Sequence, residues 1–201
     1  MNDAVFPWIC DGGYAQNGNT GNSYSKSALS FTFTTTRKSE LTFDWMTNTT
    51  SNQTLSCFVD GVHFGDVNSS SYYTMRKYLD AGSHVVEFRD TISNSTATSR
   101  YARVKNIKVK EIPPLESAVL TANSEKITFT NEGEWPWTSE DGFIQNSNYG
   151  YKNTASRFST SFTVTEPSKF AFWSSTYYYD GNNAYDYSGY QYFDFKINGE
   201  R

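Results

Sequence analysis

The chain is poor in the residues that announce chemistry. Of its 201 residues only 2 are cysteine, 2 histidine, 3 methionine and 5 proline. Two cysteines cannot staple a disulfide scaffold, and neither Cys10 nor Cys57 belongs to a C-x-x-C or Cys/His set, so no zinc site is expected. Cys57 falls in the alternation Leu55, Cys57, Val59 and is expected in the core. A Cys10–Cys57 bond and two buried free thiols both remain open. The histidines, His63 and His84, lie in neither an H-E-x-x-H motif nor beside a G-x-S-x-G elbow. No catalytic residue is expected, and the chain reads as a non-enzyme.

Long apolar runs are missing too. No stretch approaches the roughly 20 residues that a spanning helix needs, so no membrane span is expected. The N-terminus lacks a leader pattern. Net charge is −4, with no basic stripe, which argues against a nucleic-acid surface. No segment carries the 3.6-residue periodicity of an amphipathic helix.

Aromatic residues are abundant. They supply 17% of the chain, with 15 Tyr, 15 Phe and 5 Trp. Each buries a large area, so they build a core where aliphatics are scarce. Ser, Thr and Asn fill much of the rest, a mixture that suits pleated strands with one polar face.

The chain also repeats itself. "FPWICDGGYAQNGN" from Phe6 returns as "WPWTSEDGFIQNSN" from Trp135, an offset of 129. Identities include Pro7/Pro136, Trp8/Trp137, Gly13/Gly142, Gln16/Gln145, Asn17/Asn146, Asn19/Asn148, Gly21/Gly150 and Phe43/Phe172. "LSCFVDG" from Leu55 resembles "FDFKING" from Phe193 at a longer offset, so the second copy carries an insertion. The expected organisation is a first module over 1–112, a linker over 113–125 stiffened by Pro113 and Pro114, and an incomplete second module over 126–201. The recurring Gly and Asn residues are expected to supply positive-φ positions at a shared bend. Trp8 and Trp137 are expected to plug the core there.

Period-two alternation identifies strands. "ALSFTFT" puts Leu29, Phe31 and Phe33 on one face. "ELTFDW" does so with Leu41, Phe43 and Trp45, and "SHVVEFRD" with Val86 and Phe88. "YARVKNIKVKEI" supplies Val104, then Ile107 and Val109. Asp60-Gly61 and Asn198-Gly199 are hairpin-turn dipeptides. Many short strands between turn signals predict an all-β fold, an antiparallel β-sandwich of jelly-roll type, present as a tandem repeat with a truncated second copy.

The run "DGGYAQNGNTGNSYSKSALSFTF", with "ELTFDW", "LSCFVDG", "KYLDAGSHVVEFRD" and "YARVKNIKV", resembles the jelly-roll modules of secreted bacterial surface proteins. Those are similar in pattern to MAM-like, galactose-binding-like and carbohydrate-binding sandwiches. The resemblance covers the first module and half of the second. It implies an extracellular, secreted or surface-attached location and a non-catalytic accessory role. Lys105 departs from the pattern, standing where an acidic residue is expected.

The candidate binding site is the stretch "FAFWSSTYYYDGNNAYDYSGYQYFDFKI". Alternation directs Phe170, Phe172, Phe193, Phe195 and Ile197 inward and Trp173, Tyr177, Tyr179, Tyr190 and Tyr192 outward. If the two arms pair, five aromatics share one face. Flat rings stack on the C–H face of a sugar, while Asp180, Asn182, Asn183 and Asp186 can bond its hydroxyls. The first module offers no such platform by sequence, because Asp44 stands where the second has Trp173. No cofactor is expected; calcium is the one ion the acidic loop could hold, although D-G-N-N-A-Y-D lacks EF-hand spacing. The expected partners are a glycan or other cell-surface ligand and neighbouring domains of the same polypeptide. The alternative is a structural spacer or adhesin repeat with no small-ligand site.

Overall fold

In a computed structural model the described residues are 1–49, 51–93, 99–118, 127–131, 133–140, 142–148, 151, 154–167, 169–172, 174 and 194–200. Residues 1–112 form an antiparallel β-sandwich of nine strands: β1 (Ile9–Asp11), β2 (Tyr14–Gln16), β3 (Ser25–Thr35), β4 (Ser39–Thr47), β5 (Gln53–Val59), β6 (Val62–Val67), β7 (Tyr73–Leu79), β8 (Gly82–Ile92) and β9 (Ala102–Glu111). One sheet has the order β1-β2-β9-β4-β7 and the other β3-β8-β5-β6. The pairs nest as β2 with β9, β3 with β8, β4 with β7 and β5 with β6. Such a ribbon of pairs, rolled over on itself, is a jelly roll.

The alternation seen in sequence sets the inner faces. Leu41, Phe43 and Trp45 from β4 meet Leu55, Cys57 and Val59 from β5, Val86 and Phe88 from β8 and Val104 from β9, all buried. The Phe43 ring meets Phe88 edge-on at 4.9 Å and Trp45 at 5.5 Å. Trp8 caps this core as expected. Leu29, Phe31 and Phe33 pack against it while remaining partly exposed. The change of phase between Val104 and Ile107 is a β-bulge. β4 pairs Thr42 with Lys108 but Asp44 with Lys105, and Asn106 takes up the extra residue at φ 52°. Ile107 and Val109 remain 37% and 39% exposed.

The two turn dipeptides behave as read. Asp60-Gly61 closes β5 onto β6 with both φ angles positive, and Asn198-Gly199 does the same inside the bridge between Ile197 and Glu200. Two expectations need correction. Cys10 is free and exposed, because β1 is a three-residue edge strand whose side chains the second sheet does not cover; Cys57 is free and buried. Asn17 and Asn19 are not positive-φ residues. They are buried amides, and the left-handed positions at the bend belong to glycines, Gly13 and its counterpart Gly142.

After Ile112 the chain makes a 3-10 turn over Leu115–Ala118, anchored by Leu115 at 2% exposure. Among the described residues four short strands follow: β10 (Thr128–Thr130), β11 (Thr138–Glu140), β12 (Phe143–Gln145) and β13 (Ser159–Ser161), paired β10–β13 and β11–β12. These reproduce local geometry of the first sandwich. Asn2 exchanges two hydrogen bonds with the Trp8 backbone at 2.9 and 2.7 Å, and Asn131 exchanges the same two with Trp137 at 2.6 and 2.8 Å. Ser27 Oγ donates to the Phe6 carbonyl and Ser156 Oγ to that of Trp135, each at 2.5 Å. Asn17 donates to Asn19, as Asn146 does to Asn148.

Trp137 is half-buried against Phe158, at 4.9 Å, and not sealed in a core as Trp8 is. Phe170, Phe172 and Phe195, expected to point inward, lie together, with Phe172 4.7 Å from Phe195. They are 39–47% exposed, however, and the expected strand pair is absent from the described part of both arms. A strand needs a neighbour to satisfy its N–H and C=O groups, and no described segment offers these arms one.

Candidate functional site

The outer face of the five-stranded sheet carries a compact aromatic and cationic group. Ala15 on β2 and Val104 on β9 face the core, so Tyr14, Gln16, Arg103 and Lys105 face outward. Register places Tyr14 opposite Lys105 and Gln16 opposite Arg103. Tyr72, just before β7, and Tyr101, just before β9, complete the group.

Arg103 is held between two rings, its Cζ 4.1 Å from the centroid of Tyr14 and 4.1 Å from that of Tyr101. Its Nε donates to Gln16 Oε1 at 2.9 Å, which fixes the guanidinium plane. Lys105 Nζ lies 3.8 Å from the Tyr72 centroid. Burial raises the Tyr72 hydroxyl pKa, while the charge and hydrogen bond of Arg103 pull it down. Met46, opposite Arg103, takes an outward position yet is only 7% exposed. At the rim, Asp44 Oδ1 accepts from Thr74 Oγ1 at 2.6 Å and Oδ2 from Asn106 Nδ2 at 2.7 Å. These two bonds, with Lys105 and Lys108 adding to them, lower its pKa. The arrangement offers rigid ring surface beside fixed hydrogen-bonding and charged groups, which suits a ligand with apolar faces and polar edges.

The site expected from sequence lies elsewhere. Trp173, Tyr177, Tyr179, Asp180, Asn182, Asn183, Asp186, Tyr190 and Tyr192 all fall outside the described residues. The first sandwich, expected to lack a platform, has the one just described. Local pattern gave a partial signal: Tyr101, Arg103 and Lys105 alternate with Ala102 and Val104. Tyr14 and Tyr72 join them only through the fold.

Neither histidine is arranged for catalysis. His84 Nδ1 faces Asp60 Oδ2 at 2.8 Å and Nε2 faces the Asp80 carbonyl at 2.9 Å. Both ring nitrogens meet acceptors, so neither is left to take a proton from a nucleophile. Burial alone would lower the His84 pKa, but the Asp60 carboxylate and Asp80 carbonyl outweigh it and raise it. His63 and Ser56 both bond Asp66 Oδ1, at 3.0 and 2.6 Å. The carboxylate sits between them, whereas a triad needs the imidazole in the middle. These histidines flank a cleft of ≈ 550 Å³ that Asp80, Lys77 and Glu134 also line. Among the described residues no three His, Cys, Asp or Glu side chains converge on a metal position, and no helix is long and apolar enough to cross a membrane.

No known family description matches the sequence, and no curated protein does. Solved structures do resemble the fold. The secreted serine protease VesC from Vibrio cholerae is 15% identical with a TM-score of 0.44; the match covers 53% of this chain and 23% of that one, so this chain spans under a quarter of its length. A CBM36 domain of a multidomain xylanase from the hindgut metagenome of Trinervitermes trinervoides matches at 12% identity and TM-score 0.32, over 49% of this chain and 78% of its own. A family 35 carbohydrate-binding module from Clostridium thermocellum matches at 15% and 0.30, over 52% and 85%. At these scores they bear on neither the ligand nor the site of this chain.

Proposed function

We propose that this chain is a non-catalytic glycan-binding module, and that the outer face bearing Tyr14, Tyr72 and Tyr101 is its binding surface. The observation that carries the reading is the clamped geometry there: three rings, an arginine fixed between two of them, and Gln16 anchoring that arginine. A sheet holds these groups in place before any ligand arrives, which lowers the ordering cost of binding. In this reading the module belongs to a larger secreted or surface-attached protein, and the segment after Ile112 is a second copy of the same module. Trp173, Tyr177, Tyr179, Tyr190 and Tyr192, with Asp180, Asn182, Asn183 and Asp186, form a second face of the same kind.

Affinity electrophoresis of the full chain through gels containing soluble polysaccharides tests this. Retardation that Tyr72→Ala and Tyr101→Ala reduce, with the melting transition intact, is the expected result. Retardation that both variants leave unchanged would remove the first-module face from consideration.

A second reading, a structural spacer, draws on one observation. The first sandwich and the following segment are tied together: Trp135 packs on Tyr78 at 6.2 Å and Lys110 pairs with Glu140 at 3.8 Å. Stiff neighbour contacts of this kind suit a projecting stalk. No retardation by any polysaccharide, with a scattering profile of one rigid elongated particle, would favour the spacer.

A further inference from the structure

We infer that the ligand of the outer face is anionic, a polysaccharide carrying carboxylate groups such as a uronate polymer. This rests on the glycan-binding reading of that face and narrows it. The cations of the face divide into two groups. Arg76 pairs with Glu40 at 2.6 Å, and Lys110 with Glu140 at 3.8 Å. Arg103 and Lys105 take no part in the ion pairs among the described residues.

The carboxylate opposite Lys105 is bonded to neutral donors and forms no ion pair among the described residues. Asp44 stands opposite Lys105 in register, yet both its oxygens are bonded to Thr74 and Asn106. Lys108 adds a further positive charge close enough to act on Asp44. The face therefore keeps an excess of positive charge in a chain whose net charge is −4.

The geometry suits a carboxylate. Arg103 is stacked between Tyr14 and Tyr101, and its Nε is tied to Gln16. Beyond its bond to the Tyr72 hydroxyl, the guanidinium keeps N–H donors for a bidentate pair with a carboxylate, which a planar fork makes with high geometric specificity. Lys105 lies two residues along the same strand, about 7 Å away. That spacing lets the second cation meet a neighbouring anionic group, while the tyrosines stack on the ring that carries the first. A neutral sugar would leave Arg103 without an ion pair and Lys105 with only the longer-range attraction of Asp44, and the rings and Gln16 alone would give it a site. That neither Arg103 nor Lys105 has an ion-paired carboxylate among the described residues distinguishes the two ligand classes.

The test uses the full chain with polygalacturonate and alginate, and with both polymers after carboxyl reduction to neutral sugars. Retardation by at least one acidic polymer, lost on its reduction, is the expected result. Arg103→Gln and Lys105→Gln should each weaken that binding about tenfold, the loss of one charge-assisted contact, and added salt should weaken it further. Equal binding to acidic and reduced polymers, unaffected by either variant, would overturn the anionic assignment and leave glycan binding standing. Binding to neither form by natively melting protein would overturn both. Acidic binding that survives in both variants would overturn the assignment to these residues. If Arg103→Gln fails to fold, Lys105→Gln decides alone, since that side chain rests only on the Tyr72 ring.

Discussion

Asn17 Nδ2 donates to Asp90 Oδ2 at 2.9 Å, across 73 positions of sequence. Asn17 also accepts the Ala102 N–H at 2.7 Å, so one amide ties the end of β2 to β8 and β9. Gln53 Nε2 donates to the second oxygen of Asp90 at 3.0 Å, Asn19 adds a further amide contact, and the carboxyl group is fully buried. Among the described residues no cation compensates its charge, so burial pushes its pKa up to about 6 despite the amide donors.

Stability should therefore rise as the pH falls from 7.5 to 5. The folded pKa of Asp90 lies above the ordinary 3.8, so its contribution is complete below that value and is lost as pH rises through about 6. A rise from 3.8 to about 6 corresponds to about 3 kcal/mol at most. His84, also raised, adds to the same trend. Asp90→Asn should flatten most of the dependence and match or exceed wild-type stability at pH 7.5. Gln53 Oε1, buried without a partner, can then accept from the new amide once its own amide turns over. Urea titrations at several pH values check this; a wild-type profile flat between 5 and 7.5 would contradict it.

Below that range the trend should reverse. The pKa of Asp44 is lowered by Thr74 and Asn106, and that of Glu111 by the Thr36 backbone N–H. A depressed pKa gives stability that is lost as pH falls through the folded value, here below 3.8 for Asp44. Thermal melts should show an optimum between about pH 4 and 6.

The two thiols should differ sharply. Burial pushes Cys57 up to about 12, and no exposed path to its sulfur exists at 0% exposure. Cys10 lies open on the edge strand. Native protein should take up one maleimide per chain, at Cys10, and a second only in denaturant. Two rapid additions to native protein would refute the packing of β5.

Gly18→Ala should cost about 1–3 kcal/mol by urea denaturation. A Cβ there would lie 2.1 Å from the Pro7 carbonyl oxygen and 2.6 Å from the Phe6 carbonyl carbon. Those are backbone atoms and cannot swing aside.

Phe88→Ala should be more damaging, by about 3–5 kcal/mol. The ring is fully buried and meets Phe43 edge-on and Phe31 at 6.4 Å. A smaller loss would show that the core collapses around the gap.

Strand identity and turn position were legible in the sequence because both depend on neighbours in the chain. Leu41, Phe43 and Trp45 must share a face once the segment is extended, and Asp60-Gly61 carries the conformation of its own turn. Asn17 misled for the same reason: next to glycines it reads as a turn former, while its role is set by Asp90 and Ala102, far away in sequence. Tyr14, Tyr72 and Tyr101 likewise become one site only when β2, β7 and β9 enter one sheet. Cys10 has no alternation of its own to read, and its exposure follows from where the sheet ends.

The nested strand order sets a timetable for synthesis. The innermost pair, β5 with β6, can close as soon as the Asp60-Gly61 turn exists, but each outer pair waits for a later strand. β9 is the last to be made, and it lies between β2 and β4. A nascent chain that has not reached Glu111 leaves both of those strands with an open edge, and Asn17 without Ala102. The first sandwich should therefore appear late and in one step as it leaves the ribosome. Closure across such separations is slow, so the early strands must stay soluble in the meantime, a task their serine- and threonine-rich outer positions are suited to.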